Sequence, residues 1–470
     1  MAASVESNLN STYQKKADKE HILDNPDTYI GSVENVESQN YIYDESTNKI
    51  KETLFMFNPA LFKLFDEGIV NCRDHVIRMD EKSKSDDKIQ KVNQINIEIK
   101  DDIITMMNNG NGIDVVQHPE YKVWIPELIF AHLRTSTNYN KTQKKIVGGK
   151  NGFGFKLVLI WSSYGKIETV DHIRGLKYTQ EFENNLDIVH KPHVTKSKVK
   201  PYTKVCFKPD YKRLQMKGLN QQMISLFQRR VYDIAGITSK EVKVKYNDNL
   251  IKINDFQQYM QMYLNEEQMK NKVFEIINER WSYGIVLSNE YKHVSFVNGI
   301  YTSKGGKHVD YIVNQVTKKM IAYIDKKKKV QVKPAIIKEQ IFVFINCAIE
   351  NPSFDSQTKE CLNTPQSKFG SKCVVSDKFI EKLAKMGVMD AALSLNEIKQ
   401  NKAAKKTDGK KSRNIRGIPK LMDANWAGGP KSIECSLILC EGDSAKAGIV
   451  SGLSKEDRNS FGVYPLKGKL

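Results

Sequence analysis

Glu67 and Asn71 stand one helical turn apart in FDEGIVN (65–71), so a carboxylate and an amide would share one helix face. A carboxylate there can accept the proton of a water attacking a γ-phosphate, and an amide oxygen can ligate the Mg2+ that neutralises the phosphates. Taken alone, such a pair is more often a solvated face. Asn108-Asn109-Gly110-Asn111-Gly112 adds a turn whose glycines admit close approach of a flat ligand. Gly148-Gly149-Lys150-Asn151-Gly152-Phe153-Gly154, followed by Phe155 and Lys156, has the composition of a phosphate cradle and lid. Each of these is also compatible with an ordinary surface loop.

These residues need elements to hold them. Leu61–Arg78 reads as an amphipathic helix, with Phe65, Ile69, Cys72 and Val76 on one face and Glu67, Asn71, Asp74 and Arg78 on the other. Ile95–Lys100 and Ile103–Met107 alternate as strands joined at Asp101-Asp102, and the glycine run precedes an apolar stretch, Phe155–Trp161, that could start a helix beneath a phosphate. Short strand-like runs dominate from about 165 to 245. Beta-type alternation resumes over Tyr283–Asn298, a helix is predicted over Val309–Ile324, and Ile341–Ile349 reads as a buried strand leading to a loop with an exposed lysine, Gln357-Thr358-Lys359. Residues 401–420 look like a basic linker, and Ser436–Cys440 like a strand ending at Glu441-Gly442-Asp443.

The chain has 470 residues and a formal charge of +18, more than solubility needs, which points to a polyanionic partner. The excess is localised: 304–339 holds ten lysines against three acids, and 401–420 eight basic residues against one acid. Seven scattered cysteines form no C-x-x-C pair, which argues against a disulfide framework and a zinc site. Apolar runs such as Ile341–Ile345 are far short of the roughly 20 residues of a membrane helix, and no signal-peptide core is present, so an intracellular protein is expected.

Nine segments then carry a resemblance: NPDTYIGSVE (25–34), FDEGIVN (65–71), NNGNGI (108–113), TSTNY (135–139), GGKNGFG (148–154), FVNGI (296–300), TSKGGKHV (302–309), ENPSFDSQTKE (350–360) and EGDSAK (441–446). In this order they resemble the eukaryotic and viral type IIA DNA topoisomerases, from about Tyr13 to the last residue. The resemblance implies an α+β chain: an N-terminal strap (1–20), an ATPase sandwich of the class shared with gyrase, heat-shock chaperones, histidine kinases and mismatch-repair proteins (21–250), and a transducer domain resembling the second domain of ribosomal protein S5 (251–400). A basic linker (401–430) and the start of a TOPRIM domain (431–470) would follow.

Motif by motif, the resemblance makes Glu67 the general base for ATP hydrolysis and Asn71 the Mg2+ and nucleotide ligand. Asn108 reads adenine. Ser136, Thr137 and Asn138 contact ribose and phosphate, and Gly149, Lys150, Asn151, Gly152, Phe153, Gly154, Phe155 and Lys156 form the lid. Tyr13 reaches into a partner subunit's nucleotide site, and Gln357, Thr358 and Lys359 form the loop that senses the γ-phosphate. Lys326, Lys327, Lys328 and Lys329 resemble a transducer loop that contacts DNA, and Glu441 the TOPRIM glutamate that holds Mg2+. The D-x-D pair and cleavage tyrosine that complete a TOPRIM site are not in this sequence, which reads as a piece of a longer chain. Implied partners are double-stranded DNA, a second copy on ATP binding, the C-terminal cleavage region of the same enzyme, and no membrane. The implied location is the nucleus, a viral replication site or the virion. Two other readings stay open: a repair or chaperone member of the same ATPase class, and a DNA-binding subunit with a degenerate nucleotide site.

Overall fold

The computed structural model describes residues 15–133, 135, 144–149, 152–407, 418, 420–454 and 456–466. Tyr13, Ser136, Thr137, Asn138, Lys150 and Asn151 lie outside them. The chain falls into two compact units, one ending at Asn396 and the other starting at Glu397.

Alternating apolar residues build the centre of the first unit. Ile95 and Ile97 of the strand Gln94–Lys100, with Ile104 and Met106 of Ile103–Asn109, are buried, and Asp101 and Asp102 both adopt positive φ in the tight turn between them. This hairpin lies inside a nine-stranded sheet. From one edge the order is Asn249–Leu250, Lys243–Tyr246, Gln94–Lys100, Ile103–Asn109, Tyr202–Pro209, Ser162–Asp171, Leu176–Glu183 and Ile188–Val189, with His193–Lys196 also paired to Leu176–Glu183. Pairing is antiparallel except between Lys243–Tyr246 and Gln94–Lys100.

Three helices, Pro59–Lys82, Gly154–Ile160 and Gln221–Ile237, pack on this sheet and share its core. The first starts where Asn58 accepts a hydrogen bond from the Leu61 N–H (2.9 Å), with Pro59 in the first turn. As the pattern predicts, Phe65, Ile69, Cys72 and Val76 are buried. Its other face is buried as well: Glu67 and Asp74 are only 4% and 3% exposed. Gly68 lets the helix sit this close, since a Cβ there would lie 2.5 Å from Met106 Sδ.

Short strands do dominate from about 165 to 245, and the third helix is the element that the sequence reading did not separate from them. Met223, Phe227, Val231 and Ile234 supply its apolar stripe, but Arg229, Arg230 and Asp233 are also buried and interrupt the periodicity that marks a helix.

A second sheet in the same unit has the order Lys272–Asn278, Trp281–Leu287, Ile341–Cys347, Lys292–Val297, Ile300–Tyr301. Lys292–Val297 and Ile341–Cys347 are parallel neighbours, so the helix Lys307–Lys328 lies within the crossover that joins them. Phe296 and Phe344 belong to the same core as Phe256, Tyr259 and Met260, which joins the two sheets through continuous apolar contact. The Lys326–Lys329 run is not a loop: Lys326, Lys327 and Lys328 form the last helical turn, where cations favour the carbonyl end of the helix dipole, and Lys329 caps it at φ 55°.

The expected linker also starts differently, because the helix Met389–Thr407 runs through 401–407, where two alanines and three lysines favour helix. In the second unit Ser436–Glu441 and Phe461–Leu466 pair in parallel, and the helix Gly442–Gly452 connects them. Glu441 ends the first strand and is exposed. Among the described residues no group of three His, Cys, Asp or Glu could hold a metal ion, and no helix is long and apolar enough to cross a membrane.

Candidate active site

Glu67 is the centre of the arrangement. Its Oε1 accepts from Lys63 Nζ at 2.8 Å, one turn earlier on the helix, and from Lys359 Nζ at 3.0 Å, on a loop 292 residues away in sequence. Lys359 was expected to be exposed; it is 6% exposed, because the 350–360 loop folds back onto the helix, with Lys359 itself at φ 63°. Burial alone would raise the Glu67 carboxyl, but the Lys359 and Lys63 ammoniums override it and hold it down to about 2. It is therefore an ionised carboxylate enclosed by protein.

Gly154, the last glycine of the 148–154 run, lies against the other oxygen. A Cβ there would stand 2.4 Å from Glu67 Oε2 and 3.7 Å from Asn71 Nδ2, so any larger residue would collide with the carboxylate. Asn71 donates its Nδ2 to the Glu67 carbonyl at 2.6 Å, an orientation that uses the amide donor and leaves Oδ1 as an acceptor. The helix Gly154–Ile160 starts at this point. Lys156, 4% exposed, donates to the carbonyls of Thr135 and Gly152, both at 2.8 Å, and burial lowers its ammonium to about 8. Phe153 and Phe155 brace the turn: the first faces Tyr29, and the second packs edge-on against Phe130 and Phe207.

The sequence reading gave no role to two groups that hold this site. Asp74 accepts the Gly148 N–H at 2.9 Å and the Gly149 N–H at 2.8 Å, one on each carboxylate oxygen, and so ties the glycine segment to the helix that carries Glu67. Burial pushes its carboxyl up, with the Gly148 N–H offsetting part of the shift. The other is Lys63. The i, i+4 spacing of Lys63 to Glu67 was a usable signal; the role of Asp74 had none, because its partners are backbone groups.

Farther along the helix, His75 Nε2 contacts the Asn111 carbonyl at 2.8 Å, which brings the 108–112 turn against the face that carries Glu67 and Asn71. Asn108 is 6% exposed in its strand and donates Nδ2 to the Asn109 carbonyl at 3.0 Å. From Glu67 to His75 is eight residues, a run of about 12 Å along the axis. Hence the ionised carboxylate and Gly154 lie at one end of the wall and the Asn-Gly turn at the other.

The second sheet closes on the same wall. Asn298, fully buried, donates to the carbonyls of Val147 (3.3 Å) and Ile349 (2.9 Å), and Asn351 N–H donates to the Lys145 carbonyl at 2.9 Å. Thr358 lies 3.7 Å from the Cβ position of Gly31, and Gln357 sits partly buried beside it. Lys326, Lys327, Lys328 and Lys329 are all exposed at the far end of their helix.

A family profile, DNA gyrase B, matches residues 244–414. The chain is 41% identical over 476 aligned residues to DNA topoisomerase 2 of Candida glabrata, covering 97% of this chain and 33% of that protein. Two solved structures match its fold. One is the ATPase region of Saccharomyces cerevisiae topoisomerase II, with a TM-score of 0.76 and 41% identity over 82% of this chain and 99% of that one. The other comprises the ATPase and transducer domains of DNA topoisomerase II from Balamuthia mandrillaris, with a TM-score of 0.77 and 36% identity over 83% of this chain and 99% of that one. The chain spans about a third of the length of the curated relatives it matches.

Proposed function

The chain belongs to the type II DNA topoisomerase family, within the region that carries its ATPase fold, and from that membership we propose that it is the ATP-driven clamp of such an enzyme. The observation that carries the proposal is the convergence on one enclosed carboxylate, Glu67, of a lid glycine and of a lysine from the loop that follows the second sheet. The triphosphate lies along the helix wall with its γ-phosphate at Glu67 and its base toward Asn108.

Water beside Glu67 gives its proton to the carboxylate while its oxygen bonds to the γ-phosphorus. The bond from that phosphorus to the β,γ-bridging oxygen breaks, and ADP leaves with the electron pair. The N–H groups at the start of the Gly154–Ile160 helix, together with Lys156, hold the phosphates. The Asn71 amide oxygen, free as an acceptor beside the carboxylate, fits the hard oxygen donor that Mg2+ takes. Bound Mg2+ would neutralise phosphate charge. Ser136, Thr137, Asn138, Lys150, Asn151 and a partner copy's Tyr13 would complete the nucleotide contacts.

Loss of the γ-phosphate releases Lys359, Thr358 and Gln357, which frees the second sheet to move. Two copies close on ATP, trap one duplex, and the full enzyme passes it through a break in another made by the C-terminal cleavage region, with Glu441 as one Mg2+ ligand there. The nucleus or a viral replication site goes with this reading.

The test is ATP turnover with and without duplex DNA, in the intact chain and with Lys326–Lys329 replaced by alanine. DNA should stimulate the intact chain, the stimulation should fall with rising salt, and the substituted chain should lose it while keeping its basal rate. Turnover indifferent to duplex in the intact chain would favour a chaperone or repair ATPase instead.

A further inference from the structure

The FVNGI segment (296–300) reaches toward the site through its main chain. Gly299, at φ 84° in the turn before Ile300–Tyr301, offers its carbonyl to Arg230 Nη2 at 2.6 Å, while Nε of the same guanidinium donates to Asp66 Oδ1 at 2.7 Å. Asp66 immediately precedes Glu67, and its second oxygen, Oδ2, lies 3.5 Å from Lys63 Nζ. Lys63 in turn donates to Glu67 Oε1 at 2.8 Å. Arg230, Asp66, Lys63 and Glu67 are all buried. Charge of alternating sign therefore runs from the second sheet to the carboxylate.

Lys63 is the point at which two carboxylates compete. Burial alone would lower its ammonium, but Glu67 and then Asp66 outweigh it and hold the charge. The 2.8 Å and 3.5 Å distances give Glu67 the larger share. Asp66 can yield it because Arg230 already supplies a charge-assisted donor to Oδ1. Arg230 also borders Asp233, but that carboxylate has Arg229 at 3.1 Å and the Tyr259 hydroxyl at 2.6 Å besides. Asp66 is thus the group left short if Arg230 is removed, and its remaining ion-pair partner among the described residues is Lys63. A buried carboxylate in that position draws a flexible ammonium toward itself. Lys359 reaches Glu67 Oε1 from its loop as well, so the charged groups around the base are Lys63 and Asp66 on its own helix, Arg230 behind them, and Lys359.

We propose that Arg230 is a positioning residue for the hydrolytic carboxylate: by occupying Asp66 from the Gly299 turn it leaves Lys63 to Glu67, which fixes Oε1 and turns Oε2 to the water. This rests on the assignment of Glu67 as the base. Arg230 acts through Asp66 and Lys63 rather than on the reacting atoms. An arginine suits the task because its planar fork reaches the carboxylate and the carbonyl at once. The second sheet thereby bears on the base through the turn at Gly299, by a connection separate from the 350–360 loop.

The test is ATP turnover by the full chain, expressed per site that binds the non-hydrolysable analogue AMPPNP, so that unfolded protein is not counted. Arg230→Met should lower kcat about tenfold, with KM for ATP within about twofold of the intact value. Adding Asp66→Asn to Arg230→Met removes the competing charge and should restore kcat to within about threefold of the intact chain. If Arg230→Met does not fold, Arg230→Gln goes through the same comparison. A loss of kcat that persists when Asp66→Asn is added would overturn the proposal, and so would an unchanged kcat per AMPPNP site in Arg230→Met. A loss confined to the number of AMPPNP sites is what a purely structural Arg230 predicts, and it too would overturn it. Intact turnover by Glu67→Ala would instead remove the assignment of the base, whatever Arg230 does.

Discussion

Asp74 spends both carboxylate oxygens on two consecutive backbone N–H groups, those of Gly148 and Gly149, from within the same helix as Glu67. An amide has one acceptor oxygen, so Asp74→Asn would leave one of those N–H groups without a partner and turn an NH2 toward it, at a cost of about 1–3 kcal/mol. If this pairing sets the resting place of the glycine segment, affinity for AMPPNP should fall about tenfold or more in a calorimetric titration, while the secondary structure seen by circular dichroism stays intact. Unchanged affinity would mean the segment finds its place without Asp74. At this scale the sequence was most legible where a residue acts through its own type and spacing. Glu67 and Asn71 are such cases, one turn apart and next to the lid glycine. It was least legible where the partner is main chain, as with Asp74, or lies far along the chain, as when Lys359 is buried by a contact 292 residues away.

Three elements meet at Arg230. On the Gln221–Ile237 helix it reaches Asp66 of the Pro59–Lys82 helix at 2.7 Å, its own neighbour Asp233 at 3.5 Å, and the Gly299 carbonyl of the turn before Ile300–Tyr301 at 2.6 Å. Arg229 adds a 3.1 Å contact to Asp233 and lies over the Tyr301 ring. The helix beside Glu67 and the edge of the second sheet are therefore joined by a fully buried ionic network. Breaking it by Arg230→Met leaves Asp66 with Lys63 at 3.5 Å and Asp233 with Arg229 at 3.1 Å but strips both of a buried hydrogen-bond donor, so stability should drop by about 1–3 kcal/mol in urea unfolding. A drop below about 1 kcal/mol would show that the join is carried by Phe296, Phe344 and Tyr259 instead. The strands and the Glu67 helix followed from alternation and periodicity, whereas the Gln221–Ile237 helix did not, because the charges of this network occupy positions where a surface helix would be apolar.

Taken whole, the first unit folds so that one lysine of the 350–360 loop, which follows the second sheet, touches Glu67, the carboxylate proposed to activate water. Of the localised positive charge read from composition, Lys326, Lys327 and Lys328 fall in the last turn of the Lys307–Lys328 helix, and Lys402, Lys405 and Lys406 in the Met389–Thr407 helix. Which face a duplex meets could not be read from composition, since net charge carries no direction. The measurement that bears most directly on the account is ATP turnover by the intact chain and by Glu67→Ala, alongside AMPPNP affinity and sedimentation. The account predicts that Glu67→Ala binds AMPPNP and forms the triphosphate-dependent dimer as the intact chain does, yet loses turnover by two orders of magnitude or more. Near-normal hydrolysis by Glu67→Ala would contradict it.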